Sequence, residues 1–245
     1  MPGYEDIAND FLTQAGHVGA AVTEVTALAQ NQILKPGAIE SIERQVLDLS
    51  AGELARLTEL RDQEVSDAIR AYHQAPDPRS AGERTADEAK LARLISQVPT
   101  RKDAERYMDR ANRAESVGAY QEALVYAQAA EAKGVTGAES LVNYLSSMLD
   151  MTVPERREAR ARQAAAVVSA TTVRRAILKQ RAYLMEQVVE AYKAANDYRG
   201  VQRAQKAVSE ASMSAKISAF VESQETGRPY VEPSTGDIWA AAGKH

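Results

Sequence analysis

Residues 154–196 decide the fold, and they read PERREARARQAAAVVSATTVRRAILKQRAYLMEQVVEAYKAAN. The stretch holds no glycine, and its one proline is its first residue, so nothing inside it breaks a helix. Apolar residues return every three or four positions, as on one face of an amphipathic helix. They include Ala170, Val173, Ile177, Leu184, Val188, Ala191 and Ala195. We predict one long helix over about 153–196, roughly 60 Å in length, that bends near 169–172.

The composition of the whole chain favours the same class of fold. Of the 245 residues 45 are alanine, and 44% are hydrophobic but only 5% are aromatic. Small side chains allow helices to pack closely, and no segment alternates polar and apolar residues as a strand does. We therefore predict an all-α protein, an elongated bundle of helical hairpins with one long helix and an extended C-terminal tail.

Turn-forming residues divide the chain into four predicted parts. An N-terminal helical hairpin or bundle spans 1–74, and its first helix carries a heptad seam between Ala8 and Ala29 and stops at 35–37. Residues 75–84, which include two prolines and a glycine, form a linker. A main helical domain follows over 85–222, and its last helix buries an apolar face that includes Phe220. An extended tail covers 223–245.

Five pairs of residues mark predicted helix starts. In each pair a serine or threonine stands three positions before an acidic residue, so that the two side chains can cap the first amides of a helix. The pairs are Ser50 with Glu53, Thr85 with Glu88, Thr100 with Asp103, Thr136 with Glu139, and Thr152 with Glu155.

The charge balance and the missing motifs argue against several classes of function. Thirty basic and 34 acidic residues give a net charge of −4, which provides no general attraction to nucleic acid or anionic lipid. Cysteine is absent, which excludes disulfides and thiolate metal sites. The sequence has no metal-spaced histidines, phosphate-binding loop or nucleophile elbow. We expect no catalytic, cofactor-binding or metal-binding residues, no cofactor and no enzymatic activity.

The sequence also predicts where the protein resides. Its first residues lack the basic and apolar regions of a signal peptide, and no purely apolar run exceeds five residues, far fewer than a membrane span needs. We expect no secretion by signal peptide and no membrane partner. The predicted location is the cytoplasm, or a virion assembled there.

The first part of the long helix is strongly basic. Residues 153–181 contain eight basic and two acidic side chains. The segment has no aromatic residue on which bases stack, and its charges spread around the helix, so we favour docking on an acidic surface, of this chain or of a neighbouring copy, over nucleic acid. The candidate partner-binding residues are Arg156, Arg157, Arg160, Arg162, Arg174, Arg175, Lys179 and Arg181.

The tail supplies a second candidate contact. Ile238 and Trp239 form a short apolar segment, and Trp239 is the sole tryptophan of the chain. Large aromatic residues often anchor protein interfaces. We predict that these two residues bind in a groove of a neighbouring subunit.

Residues 104–134 have the pattern of two short helices joined by a tight turn. The residues that carry this pattern are Tyr107 and Ala111, then Gly118 and Tyr120, then Ala123, Leu124 and Ala130. Small residues where helices cross, with a glycine and an aromatic residue between the helices, resemble a single tetratricopeptide-type hairpin. The resemblance implies a concave groove that binds a linear peptide.

The layout of helical segments followed by an extended terminus is similar to that of minor virion proteins of bacteriophages. That resemblance implies a head-associated or connector-associated component. We expect a non-enzymatic structural or interaction protein, one subunit of a larger assembly, that binds copies of itself or other subunits. The alternatives are a tetratricopeptide-like adaptor for peptides and nucleic-acid binding through residues 153–181.

Overall fold

The computed structural model describes residues 3–226, which form helices joined by short connections. The predicted all-α class is confirmed, and no strand occurs in this part of the chain. Residues 227–245, including Ile238 and Trp239, lie outside the described residues. The helices are α1 (Tyr4–Gln30), α2 (Ala38–Gln74), α3 (Ala81–Gln97), α4 (Arg101–Ser116), α5 (Tyr120–Glu131), α6 (Ala138–Asp150), α7 (Pro154–Ala194) and α8 (Tyr198–Thr226).

Helix α7 confirms the prediction of one long helix. It has 41 residues, and residues 169–172, where we predicted a bend, are helical. Ala195 is exposed rather than buried, because α7 ends one residue earlier and Asn196 has a left-handed backbone with φ of 58°. The rest of the predicted apolar face is at most 9% exposed and comprises Ala170, Val173, Ile177, Leu184, Val188 and Ala191.

Helix α1 buries the predicted seam, of which Phe11, Ala15 and Val22 are at most 1% exposed. The helix ends at Gln30, before the predicted stop at 35–37. The physical reason is that Gln32 has a φ of 58°, which an α-helix cannot accommodate.

Helix α2 shows that the predicted start at Ser50 is wrong. A single helix of 37 residues runs through this position. The Ser50 hydroxyl donates to the carbonyls of Val46 at 3.0 Å and Leu47 at 2.9 Å, so it is satisfied inside the helix instead of capping a new one. Glu53 forms an ion pair with Arg56 at 2.8 Å.

The cap of α4 is confirmed and that of α3 is shifted. The Thr100 hydroxyl accepts a hydrogen bond from the Asp103 amide at 3.3 Å. The predicted start at Thr85 is wrong, because Ser80 and Glu83 form the capping box and α3 begins at the next residue after Ser80. The connection between α2 and α3 is therefore residues 75–80, shorter than the predicted linker.

The two remaining threonines lie beside helix starts without capping them. The residue that precedes α6 is Gly137, whose φ of 83° is in the left-handed region, so Thr136 is one residue too early to cap. The Thr152 hydroxyl donates to the Leu149 carbonyl at 2.6 Å, although α7 begins at Pro154 as predicted.

At the other end of the main domain, the predicted tail starts too early, because α8 continues to Thr226.

The chain forms two compact units. Of the described residues, the first unit contains 3–67 and 162–226, and in its core Ile177 and Val188 of α7 pack with Ile7 and Phe11 of α1. The second unit contains residues 68–161. These units divide the chain differently from the predicted ranges 1–74 and 85–222, because α7 and α8 share a core with the N-terminal helices.

Candidate protein interaction surface

Two of the predicted partner-binding arginines are paired inside the second unit. Arg156 Nη1 lies 2.5 Å from Asp150 Oδ1, and Arg160 Nη2 lies 3.0 Å from Asp150 Oδ2. The Tyr72 hydroxyl donates to the same carboxylate. The guanidinium groups of Arg156 and Arg160 lie 5.2 and 5.4 Å from the centre of the Tyr72 ring. The Asp150 side chain is only 14% exposed, so it needs these partners. Both arginines therefore stabilise the unit itself.

The other six basic residues do not form one exposed row. Arg157 and Arg162 are exposed, whereas the remaining four are half-buried. Arg162 also has an interaction partner, as do two of those four, Arg175 and Lys179. The other two half-buried residues are Arg174 and Arg181. A surface that follows phosphates needs its charges exposed along one side, so this segment offers an external partner less charge than its sequence indicates.

Helix α8 carries a row of large apolar side chains on its outer face. Met213 is 65% exposed, Ile217 56%, Phe220 53% and Val221 43%. Their spacing of four, seven and eight residues places them on one side of the helix, over consecutive turns. We call these four residues the α8 stripe. Together they expose an area on the order of a few hundred Å², as large as the largest apolar patch on many monomers.

The inner face of α8 is made of small residues. Ala204, Ala211, Ala215 and Ala219 are at most 5% exposed. The prediction that Phe220 is buried is wrong, because alanines occupy the buried face of α8 and the larger residues lie outside it. The sequence does contain the signal for this surface, namely two interleaved apolar rows in one helix.

A polar cluster, buried at Glu43 and Tyr192 and open to solvent at Arg203, joins the start of α8 to α2 and α7. Arg203 of α8 donates to Glu43 of α2 through Nη2 at 2.7 Å and through Nε at 3.0 Å. The Tyr192 hydroxyl of α7 donates to Glu43 at 2.7 Å and accepts from Arg203 Nη2 at 2.6 Å. Glu43 is 4% exposed and Tyr192 is 1% exposed. The cluster joins three helices of the first unit.

The ionisation of this cluster fits a structural role. Burial by itself raises the pKa of Glu43, but hydrogen bonds from Arg203 and Tyr192 outweigh it, so that pKa lies below its ordinary value. Burial and the adjacent Glu43 carboxylate raise the pKa of the Tyr192 hydroxyl. Each pKa therefore moves away from neutrality, whereas general acid–base catalysis needs a pKa near the working pH.

Helices α4 and α5 form the hairpin expected at 104–134. Gly118 in the connection has a φ of 77°, which glycine adopts readily. Ala111 and Ala123 are both completely buried, as predicted for small residues at a helix crossing. The Tyr107 hydroxyl donates to the carbonyl of Leu94 in α3 at 3.0 Å, which attaches the hairpin to its neighbour.

Within residues 3–226, no helix is both long enough and apolar enough to cross a membrane. The same residues contain no group of three or more histidine or carboxylate side chains arranged to hold a metal ion. No protein-family model matches the chain, and no curated protein or solved structure is similar enough to count as a match.

Proposed function

We propose that this chain is a non-enzymatic, protein-binding subunit of a larger protein assembly, and that it contacts a partner through the α8 stripe. The observation that carries the proposal is the exposure of Met213, Ile217 and Val221 on one side of one helix. Burial of apolar surface stabilises a complex by about 25 cal/mol per Å². Burial of the stripe would therefore contribute favourably to the free energy of binding.

A helix is the partner that best fits the stripe. Apolar residues spaced by four and seven positions pack into the grooves of a second helix with the same spacing. A second copy of this chain provides such a helix, and so does another helical subunit. The similarity in layout to minor bacteriophage virion proteins makes a head-associated or connector-associated component the first setting to test.

Light scattering of the full chain at a series of concentrations tests the proposal. We expect the mean mass to rise with concentration, and we expect Ile217→Lys to weaken this association at least about tenfold, because an isoleucine no longer buried on binding costs about 1.5–3 kcal/mol.

The matched control is Val117→Lys, which introduces the same charge at a position that is 79% exposed and lies in the second unit. We expect this variant to associate like the wild type. Circular dichroism of both variants verifies their helix content. Identical association of the Ile217→Lys and wild-type chains contradicts the proposal, whereas a monomer at every concentration excludes a second copy of this chain as the partner.

A further inference from the structure

Helix α4 carries a row of basic side chains on its outer face. Four of its exposed residues lie on one side of the helix, opposite the buried Ala104 and Ala111, because they are spaced by three or four positions. These four residues, which we call the α4 row, are Lys102, Arg106, Arg110 and Arg113. None of them forms an ion pair within residues 3–226. The α4 row therefore presents unpaired positive charge to a partner.

Helix α2 carries two acidic side chains at the matching separation. Asp48 and Glu59 are exposed, and neither forms an ion pair in the part of the chain that the structure describes. They are eleven residues apart, and so are Lys102 and Arg113, the two ends of the α4 row. Eleven residues make about three turns of helix, or about 16 Å, so both acids lie on one side of α2. The two ends of the row can therefore meet the two acids at the same time.

The residues between these ends favour an antiparallel contact of the two helices. With the helices antiparallel, Arg110 lies at the level of Ala51, which is small and exposed, and Glu105 lies at the level of Arg56. With the helices parallel, Arg110 instead lies at the level of Arg56, and these like charges repel each other. The antiparallel contact avoids this repulsion and adds an attractive pair.

Two features of α4 favour a protein partner over nucleic acid. Glu105 and Asp109 are exposed beside the α4 row, and their carboxylates repel phosphates. Tyr107 is 1% exposed, so it offers no ring on which a base can stack. Every copy of this chain, in contrast, carries both the α4 row and the two acids of α2.

We propose that the α4 row of one copy of this chain binds the face of α2 that contains Asp48 and Glu59 on a second copy, with the two helices antiparallel. Exposed ion pairs individually contribute little affinity, so the contact mainly selects which surfaces of the two copies meet. The inference uses no residue of the α8 stripe.

Cross-linking of the full chain with a carbodiimide tests the inference, because this reagent joins an amine to a carboxylate in contact with it. The sample mixes unlabelled chains with chains that carry a heavy isotope, so only a link between two copies joins a labelled peptide to an unlabelled one. We expect such a mixed link between Lys102 and Glu59. Its yield should fall between 0.1 M and 1 M salt, because the screening length falls from about 10 Å to about 3 Å.

Three results of this experiment overturn the inference. A link of Lys102 only to carboxylates of its own chain means that the same chain is the occupant. A link to Asp48 in place of Glu59 means that the helices are not antiparallel. Absence of any link from Lys102 to α2, together with binding of duplex DNA that Arg106→Glu abolishes, assigns the row to nucleic acid, and absence of the link alone is equally contrary to the contact.

Reversal of charge at the other end of the row gives a second test. Arg113→Glu and Asp48→Arg each place like charges together, so each variant alone should lower the yield of the Lys102–Glu59 link at least about twofold. A mixture of the two variants pairs opposite charges again and should restore the yield, which also shows that both variants are folded. A mixture that links no better than the separate variants overturns the inference.

The matched control is Arg93→Glu, which makes the same change at an exposed position of α3 outside the α4 row. It should leave the yield unchanged, and a loss equal to that of Arg113→Glu counts against the contact. The link should also persist in Ile217→Lys, so its outcome is separate from that of the proposed function. Loss of the link in Ile217→Lys overturns the inference, because the contact then does not form through its own charges.

Discussion

Gly200, in the first turn of α8, lies against the buried ring of Tyr192. A Cβ atom at position 200 would stand 2.3 Å from Tyr192 Cδ1 and 2.4 Å from Cε1. Because carbon atoms in contact lie about 3.5–4.0 Å apart, the variant Gly200→Ala requires a movement of at least about 1 Å. The ring has little freedom to move, since it is 1% exposed and its hydroxyl bonds to Glu43 and Arg203.

The expected loss of stability combines three contributions. Overpacking of a buried site costs about 1–3 kcal/mol. Misalignment of hydrogen bonds to charged groups costs about 1.5–3 kcal/mol. Replacement of glycine by alanine in a helix offsets about 0.5–1 kcal/mol of this. We therefore expect Gly200→Ala to lower the free energy of unfolding by about 2–4 kcal/mol.

Urea unfolding followed by circular dichroism measures this change through linear extrapolation. The matched control is Gly52→Ala in α2, where no atom lies within 4 Å of the added Cβ. That variant should be more stable than the wild type by about 0.5–1 kcal/mol. Equal stabilisation by both substitutions would refute the steric reasoning at Gly200.

Three further predictions concern stability. The pKa of Glu43 is lower in the folded chain than its ordinary value. Its contribution to the free energy of unfolding is therefore fully present above about pH 4.3, the pKa of glutamate in an unfolded chain, and is lost as the pH falls through the folded pKa. Glu43→Gln should be less stable than the wild type by about 1–3 kcal/mol at neutral pH, and its stability should fall less on acidification. Urea midpoints at several pH values measure both effects, and an equal fall in the two proteins contradicts this prediction. Gly118→Ala should lower the free energy of urea unfolding by about 1–2 kcal/mol, because an alanine at this position must adopt a positive φ. The control Gly82→Ala, where open space surrounds the added Cβ atom, should not be destabilising. Equal effects of the two substitutions contradict this prediction. Asp150→Asn leaves Arg156 without its anionic partner and should cost about 1–3 kcal/mol in thermal unfolding; an unchanged midpoint contradicts the role of this cluster.

Helix content and most helix positions follow from local sequence. The run after Pro154 predicts α7 because no residue inside it breaks a helix, and the small residues of the hairpin predict the crossing of α4 and α5. The predicted caps were less reliable. Ser50 has the expected spacing to its acidic partner, yet its hydroxyl bonds to carbonyls of the preceding turn. A serine side chain can either cap the first amides of a new helix or donate to carbonyls of the preceding turn, and the residues around Ser50 do not predict which of the two occurs.

The outward side of α8 was not predictable in the same way. Alanines and larger apolar residues both recur in this helix at a helical period, so the pattern offers two faces for the core. The wrong prediction for Phe220 assigned the large side chain to the core. The structure buries Ala211, Ala215 and Ala219 instead, which brings α8 close to its neighbours and leaves the α8 stripe exposed.

The sequence by itself determined that the chain is helical, where α7 lies, and that small residues line the helix contacts. The tertiary structure decided which faces meet. It joined Glu43 to Arg203, 160 residues away, and to Tyr192, 149 residues away, and it paired Arg156 and Arg160 with Asp150. The physical reason is that helix formation depends on residues within a few positions of one another. The choice of contacting faces depends instead on how closely whole helices pack.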